Sequence, residues 1–249
     1  MTKKILIDGD SIAYKAGFAE NLNLMYTTIN NTMQRIFNDC QSKDYELYIE
    51  EYRVPKTNFR KNVYEQYKVR PPSKCQYLAE ARMYLTFSWN ARIVDGIESE
   101  DKVTQRAYEL GKDNCIVACI DKDLLCNPLT FYNYDEKNKL GNGLGVSIPA
   151  GTIYTVSEDE ATLHLWRQVC TGDKVDNIPG VPGVGKVTAC NVVDDPHIAA
   201  LQAAHLYKFN EFTYDYFIMN YNLIKIRGDT NTDVEYPLTR EQYESNTGV

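Results

Sequence analysis

Four short stretches hold acids at spacings that could serve one reaction. "IDKD" supplies Asp121 and Asp123, two apart, which share a side if strand geometry continues through them. "GDKVD" supplies Asp173 and Asp176, three apart, which one helical turn would set side by side. "GIESED" adds Glu98, Glu100 and Asp101, and "LIDGD" adds Asp8. Converging carboxylates repel and raise one another's pKa unless a cation neutralises them. Hard oxygen ligands with no nearby histidine or thiolate favour Mg²⁺ or Mn²⁺. Two such ions about 4 Å apart activate a water and stabilise the leaving oxygen in phosphodiester hydrolysis. Each group also has a local reading, because acids at a helix start, as in 98–101, suit the helix dipole and the orphan amides there.

The elements that would carry these acids read as an α/β fold. Apolar, β-branched runs end on a carboxylate at Asp8, Glu50, Asp95 and Asp121, and segments of helical character lie at 29–40, 75–90 and 99–111. That alternation predicts a mostly parallel central sheet flanked by helices, with ligands at the carboxyl ends of its strands. The stretch "DEKNKLGNGLGVSIPAG" reads as a hairpin or loop whose glycines serve turns. Ser157 and Glu160 form a capping box for a helix that closes on Gly172. Helical sequence follows from 196 to 226, where the tyrosines recur at packing intervals, and the last twenty residues read as a loosely held tail. Asp10 and Asp95 read as local polar groups.

At 249 residues the chain suits one large domain, or one with an appendage. It has no apolar run of membrane-spanning length and no signal-peptide pattern, so the expected location is cytoplasmic. Seven cysteines without regular spacing suit a reducing compartment, and Cys115, Cys119 and Cys126 read as buried thiols more than as a zinc site. The net charge of −7 argues against a general nucleic-acid coat. Yet 53–74 carries seven Lys and Arg side chains against Glu65 alone, a local charge of +6. Tyr64 and Tyr67, interleaved with those cations, could stack on unpaired bases.

The stretch "GVPGVGK" at 180–186 nearly matches a P-loop, but Val187 stands where the hydroxyl residue belongs and a turn precedes it instead of a strand. Its other use is to join two helices tightly while presenting backbone amides to a phosphate, a grip on the DNA backbone that reads no bases. Together "LIDGD", "NFRKNVYEQYKVR", "GIESED", "ACIDKD" and "TGDKVDNIPGVPGVGKVTA" resemble the 5′-nuclease superfamily in order and approximate spacing. That superfamily includes flap endonucleases, the 5′-nuclease domain of bacterial DNA polymerase I and, nearest, stand-alone bacteriophage 5′-3′ exonucleases. The resemblance spans about 3–225, and 170–189 is its most specific part.

The resemblance implies a PIN-like nuclease core over 1–156, with a basic arch at 53–90, and a helix-three-turn-helix with a C-terminal helical region over 157–249. It makes Asp8, Glu98, Glu100, Asp101, Asp121, Asp123, Asp173 and Asp176 ligands of two Mg²⁺ or Mn²⁺, and K⁺ often accompanies the helix-three-turn-helix. Lys68, Asp8, Asp121 and Asp173 would carry catalysis, Lys68 by stabilising developing charge. Arg60, Lys61, Tyr67, Lys68, Arg70, Gly183, Val184, Gly185, Lys186 and Thr188 would contact DNA. Three departures stand out: Glu50 or Glu51 replaces the usual aspartate after the second strand, the spacing from Lys68 to Arg70 is shortened, and "GVGKVT" shifts Lys186. The implied activity is metal-dependent cleavage at 5′ ends of duplex or flapped DNA, with RNA–DNA hybrids as a further substrate. The expected protein is a monomeric, phage-type enzyme working beside replication proteins and no membrane. A PIN-like ribonuclease and a catalytically silent DNA-structure binder are the alternatives.

Overall fold

The computed structural model describes residues 3–53, 58–69, 71 and 74–246. Among them the strands form one six-stranded sheet, built from β1 (Lys4–Asp8), β2 (Tyr45–Glu50), β3 (Arg92–Val94), β4 (Cys115–Cys119), β5 (Thr130–Asn133) and β6 (Ile153–Thr155). The order is β3-β2-β1-β4-β5-β6, parallel throughout except for the antiparallel β5–β6 pair. In β1 the side chains alternate faces, as strand geometry requires. Ile5 and Ile7 enter one apolar layer and Leu6 the other.

The first layer is filled by α1 (Gly9–Gly17), α2 (Leu22–Asp39) and α4 (Leu78–Ser88). In α2, Met25, Ile29, Met33, Ile36 and Phe37 recur three to four residues apart and make its buried stripe. The opposite layer takes Val103 and Ala107 from α5 (Ser99–Leu110). A third apolar cluster belongs to α6 (Glu158–Thr171), α7 (Lys186–Val192), α8 (Ala199–Phe209), α9 (Tyr214–Ile224) and α10 (Arg240–Ser245). Its tyrosines are packing residues: Tyr207 and Tyr214 are buried and donate to the carbonyls of Val169 (2.6 Å) and Leu238 (2.6 Å).

The Ser157–Glu160 capping box forms and Gly172 closes α6, as the sequence predicts. Cys115 and Cys119 are buried thiols as expected, and Cys126 is half-buried; burial pushes the Cys115 thiol up to about 11 and that of Cys126 up to about 12. The tail is a different matter. Tyr243 is buried with its hydroxyl on the Phe212 carbonyl (2.7 Å), and Asn246 donates to the Leu201 carbonyl (2.7 Å), so α10 is docked and the expectation of a loosely held tail is corrected for the described residues up to 246. No helix among the described residues is long and apolar enough to cross a membrane.

Candidate active site

The strand order reverses at β1, which has β2 on one side and β4 on the other, and the crevice at the carboxyl ends there is the expected ligand position. A cleft of about 530 Å³ opens at that point, with Glu100, Asp121, Asp123, Asp173 and Asp176 in its lining. Asp8 lies beneath, fully buried, as the N-cap of α1; it accepts from Ser99 Oγ (2.8 Å), Ser11 Oγ and the Asp10 amide (3.2 Å). Glu98 caps α5 and receives Lys68 Nζ (2.6 Å), Asn58 Nδ2 (2.9 Å) and the Tyr67 hydroxyl (3.0 Å).

Two of the local geometries differ from expectation. β4 stops before Asp121, which caps a 3-10 turn at Lys122–Cys126 by accepting from the Asp123 amide (2.9 Å). The Asp173–Asp176 pair sits in a loop, not a helical turn: Asp173 accepts from the Val175 amide (2.8 Å) and exchanges backbone bonds with Ile178. Both pairs still line the cleft, because the turn after β4 and the loop after α6 meet there.

The electrostatics show acids short of cations. Burial, reinforced by Glu98, pushes Glu100 well above the usual carboxylate range, and one of its buried oxygens, Oε2, has no hydrogen-bond partner. Burial with Asp123 alongside raises Asp121 to about 7, and burial with Asp10 raises Asp8. Two lysines offset part of the repulsion. Lys122 Nζ bridges Asp123 (2.7 Å) and Asp173 (2.6 Å), and Lys68 Nζ bridges Glu98 (2.6 Å) and Asp176 (3.6 Å). Burial alone would raise Glu98, but Lys68 and Arg60 outweigh it and hold the carboxyl down to about 2.

An orphaned, all-oxygen acidic site fits hard divalent ions in charge and donor chemistry. Among the described residues no group of three or more acids, histidines or cysteines is already closed around one ion position.

Several expected site residues are placed elsewhere by packing. Asp101 is fully buried and gives both oxygens to Arg60 (2.6 and 2.9 Å), so it is a structural anchor and not a metal ligand. Arg60, equally buried, also donates to the carbonyls of Leu223 (3.1 Å) and Lys225 (2.8 Å), which removes it as a DNA contact. Tyr67 is 2% exposed, too enclosed to stack on a base. Tyr64 packs against the helical cluster. Lys61, on α3 (Phe59–Val63), lines a separate cavity of about 620 Å³ with Asn58, Asp95 and Thr230 and is not in the lining of the acidic cleft. Arg70 lies outside the described residues. Glu50 lines the cleft, whereas Glu51 turns to Arg53 (2.7 Å). Asp10 is held by Arg82 (2.5 Å) as a local polar group. Sequence reasoning missed Lys122 and Arg82 as cleft residues, although Lys122 stands between the two aspartates of "IDKD".

The glycine loop joins α6 to α7 at close quarters. Gly172 and Gly180 have φ of +65° and +59°, and a Cβ on Gly172 would stand 2.6 Å from the Gly180 amide nitrogen, so neither position accepts a side chain. Asn220 Oδ1 takes the Gly180 amide (2.8 Å), which fixes the loop on α9. Its far side is open: Gly183, Gly185, Lys186 and Thr188 are exposed, and Val184 is half-buried against the helices. The loop also meets the basic segment, where Lys68 N donates to the Asp176 carbonyl (2.9 Å) and Asn177 Nδ2 to Gln66 O (3.1 Å). Carboxylate cleft and glycine hairpin are thus parts of one surface.

The T5 5′-exonuclease with bound divalent zinc ions superposes with a TM-score of 0.66 over 89% of each chain, at 13% identity. The chain has the 5′-nuclease fold. A bacteriophage T5 flap endonuclease in a pseudo-enzyme-product complex with DNA and metal ions gives 0.64 at 12% identity, over 90% of this chain and 89% of that one. In sequence, the chain is 28% identical over 209 residues to DNA polymerase I of Geobacillus stearothermophilus, covering 77% of this chain and 23% of that protein. It is 26% identical over 220 residues to a 5′-3′ exonuclease of Mycoplasma genitalium, covering 75% and 70%. The chain therefore spans less than a quarter of the DNA polymerase I relatives it matches first, at 23% and 14% of their length. No protein-family model matches. By fold and by sequence relatives, the resemblance to 5′-nucleases holds.

Proposed function

We propose that the chain is a metal-dependent, structure-selective 5′-nuclease that hydrolyses phosphodiesters at or near the 5′ ends of duplex or flapped DNA. The observation that carries this reading is the set of acids from separate elements lining one cleft at the sheet's switch point, with a buried, unpartnered Glu100 oxygen among them. Bound there, two Mg²⁺ or Mn²⁺ ions would activate a water and offset charge on the leaving oxygen. Asp8, Glu98, Glu100, Asp121, Asp123, Asp173 and Asp176 are the ligands in this reading. Lys68, a quarter exposed, lies where its ammonium can transfer from Glu98 to a phosphate oxygen and stabilise the charge that develops there. The exposed edge of the glycine loop, with Gly183, Gly185, Lys186 and Thr188, would hold the duplex through its backbone without reading sequence.

Finer parts of the reading follow from the same resemblance. They are K⁺ at the hairpin, action on RNA–DNA hybrids in primer removal, a monomer working with replication proteins, a phage-type enzyme, and the host cytoplasm as its location. An apolar cluster drawn mainly from α6–α10, which also takes in Tyr67 from the basic segment, supports dividing the chain into a nuclease core at 1–156 and a helical part at 157–249.

The test is cleavage of a 5′-labelled flap and a plain duplex in Mg²⁺ and in EDTA, for wild type and Asp173→Ala. Metal-dependent products that vanish in the variant are expected, and their lengths separate exonucleolytic from flap cutting. Binding of both substrates without cleavage in either Mg²⁺ or Mn²⁺ would replace this reading with a silent DNA binder.

A further inference from the structure

The loop between β5 and β6 turns out to border the cleft. Lys139 and Gly141 are in the cleft lining beside the acids. The cleft's other cations are all engaged: Lys15 with Asp135 (3.5 Å), Lys68 with Glu98 (2.6 Å), Arg82 with Asp10 (2.5 Å) and Lys122 with Asp173 (2.6 Å). Among the described residues, Lys139 is the one cleft-lining cation with no carboxylate in ion-pairing range. An exposed lysine on a loop is ordinarily a solvated charge. An unpaired one at the rim of an acidic cleft, on a loop of fixed shape, is placed for an anion that arrives from outside.

The shape is fixed from below. Leu140 and Ile148 exchange backbone hydrogen bonds of 2.8 Å, and Asn133 Nδ2 donates to Asn138 O (2.9 Å) and Ile148 O (3.1 Å). Leu140, Leu144, Val146 and Ile148 are buried, whereas Lys139, Gly143 and Gly145 alternate with them on the exposed side. Arg167 Nη1 ties the Leu144 carbonyl (3.0 Å) to α6. At its far end the loop reaches the hairpin: Cys190 Sγ lies 3.8 Å from the Gly143 carbonyl, and a Cβ on Gly143 would touch Lys186 Cδ at 3.6 Å. One end of the loop therefore faces the carboxylates and the other faces the hairpin lysine.

We propose that loop 138–145 is a nucleic-acid backbone contact, in which Lys139 binds a phosphate of the duplex as it passes from the glycine hairpin to the cleft. The inference rests on the nuclease reading and adds a contact outside the carboxylates, the basic segment and the hairpin. Lysine suits the task as a compact point charge on a flexible stem, and the side-chain-free backbone at Gly143 lets a phosphate approach closely.

The test is the salt dependence of binding to a fluorescent 5′-flapped duplex, with Ca²⁺ in place of Mg²⁺, for wild type, Lys139→Ala, Lys186→Ala and Lys137→Ala. Each lost phosphate contact lowers the slope of log K against log salt by about 0.9. Lys139→Ala is expected to weaken binding several-fold at low salt, to lower the slope by about that amount, and to leave Tm unchanged because the side chain is exposed. Lys186→Ala is expected to do the same, and the double variant to lower the slope by about twice as much. Lys137→Ala, in the same loop but outside the cleft lining, should match wild type. A wild-type slope in Lys139→Ala, or an equal loss in Lys137→Ala, overturns the contact. Failure of wild type to bind the duplex at all overturns the nuclease reading together with it.

Discussion

The acids of the cleft differ in what they lack, and the difference sets their response to pH. Burial, with Asp123 adding to it, lifts Asp121 from 3.8 to about 7. Between those values the folded protein holds a proton that the unfolded chain has shed, so Asp121 contributes a stability that fades as pH rises through the window. A cation competes for the same carboxylate and binds better as the proton leaves. The Mg²⁺-induced rise in Tm is therefore expected to grow from about pH 5 to about pH 8 in wild type, and to grow much less in Asp121→Asn. A pH-independent rise would take Asp121 out of the ion site. Lys122 makes the complementary prediction. Its ammonium joins Asp123 to Asp173 across two elements, so Lys122→Met leaves both acids facing each other without a counter-ion. With the lysine one-third exposed, the loss in EDTA is expected to be about 1–2 kcal/mol by urea melts, and divalent ions should restore most of it.

At the scale of elements, one guanidinium joins α3, α5 and the end of α9. Arg60 pairs with Asp101 and caps the carbonyls of Leu223 and Lys225 in a fully buried setting. Removing one partner of such a pair costs about 3–5 kcal/mol. Arg60→Met is expected to lose that much stability while the salt slope of DNA binding stays at the wild-type value. The glycine loop offers a matched contrast. Gly180→Ala meets backbone at φ +59° and should cost more than about 2 kcal/mol, whereas Gly183→Ala, at φ +84° with no atom within 4 Å, should cost only the roughly 1–2 kcal/mol of the left-handed conformation. Strands β1 to β4 were legible in the sequence because their apolar runs lead to acids, whereas β5 and β6, which end on Asn133 and Thr155, carry no such mark and were not anticipated. Helix α2 begins seven residues before the expected 29, since the exposed Leu22 and Leu24 and the β-branched Thr27 and Thr28 blur the stripe of its first turns, and its cap, Asn21 on the Leu24 amide (2.9 Å), looks like any loop asparagine. Asp101 was misread because a capping acid and a metal ligand share type and spacing, and its partner lies 41 residues away. Lys139 escaped notice because glycines make a loop readable but say nothing about which cleft it will border.

For the molecule as a whole, charge decides when nucleic acid can approach. The chain carries −7, and seven acids against five bases line the cleft, with Asp8 and Glu98 buried beside it. A polyanion meets net repulsion there until divalent ions neutralise it, so duplex affinity is expected to rise on adding Ca²⁺ to metal-free protein. Removing one of the acids separates this effect from catalysis. Asp173→Asn deletes a charge and releases Lys122 from one of its two partners. At about 8 Å and an effective dielectric of about 40, between bulk water and a protein surface site, one unit charge is worth roughly 1 kcal/mol, or about fivefold in affinity at low salt. Metal-free Asp173→Asn is therefore expected to bind the duplex more tightly than metal-free wild type by that factor, to gain less from Ca²⁺, and to cleave nothing in Mg²⁺. Fluorescence titrations in EDTA and in Ca²⁺ read all three quantities beside a cleavage assay. Equal or weaker metal-free binding by the variant would mean that the duplex never feels the cleft's charge, and the path from hairpin to carboxylates would have to run elsewhere.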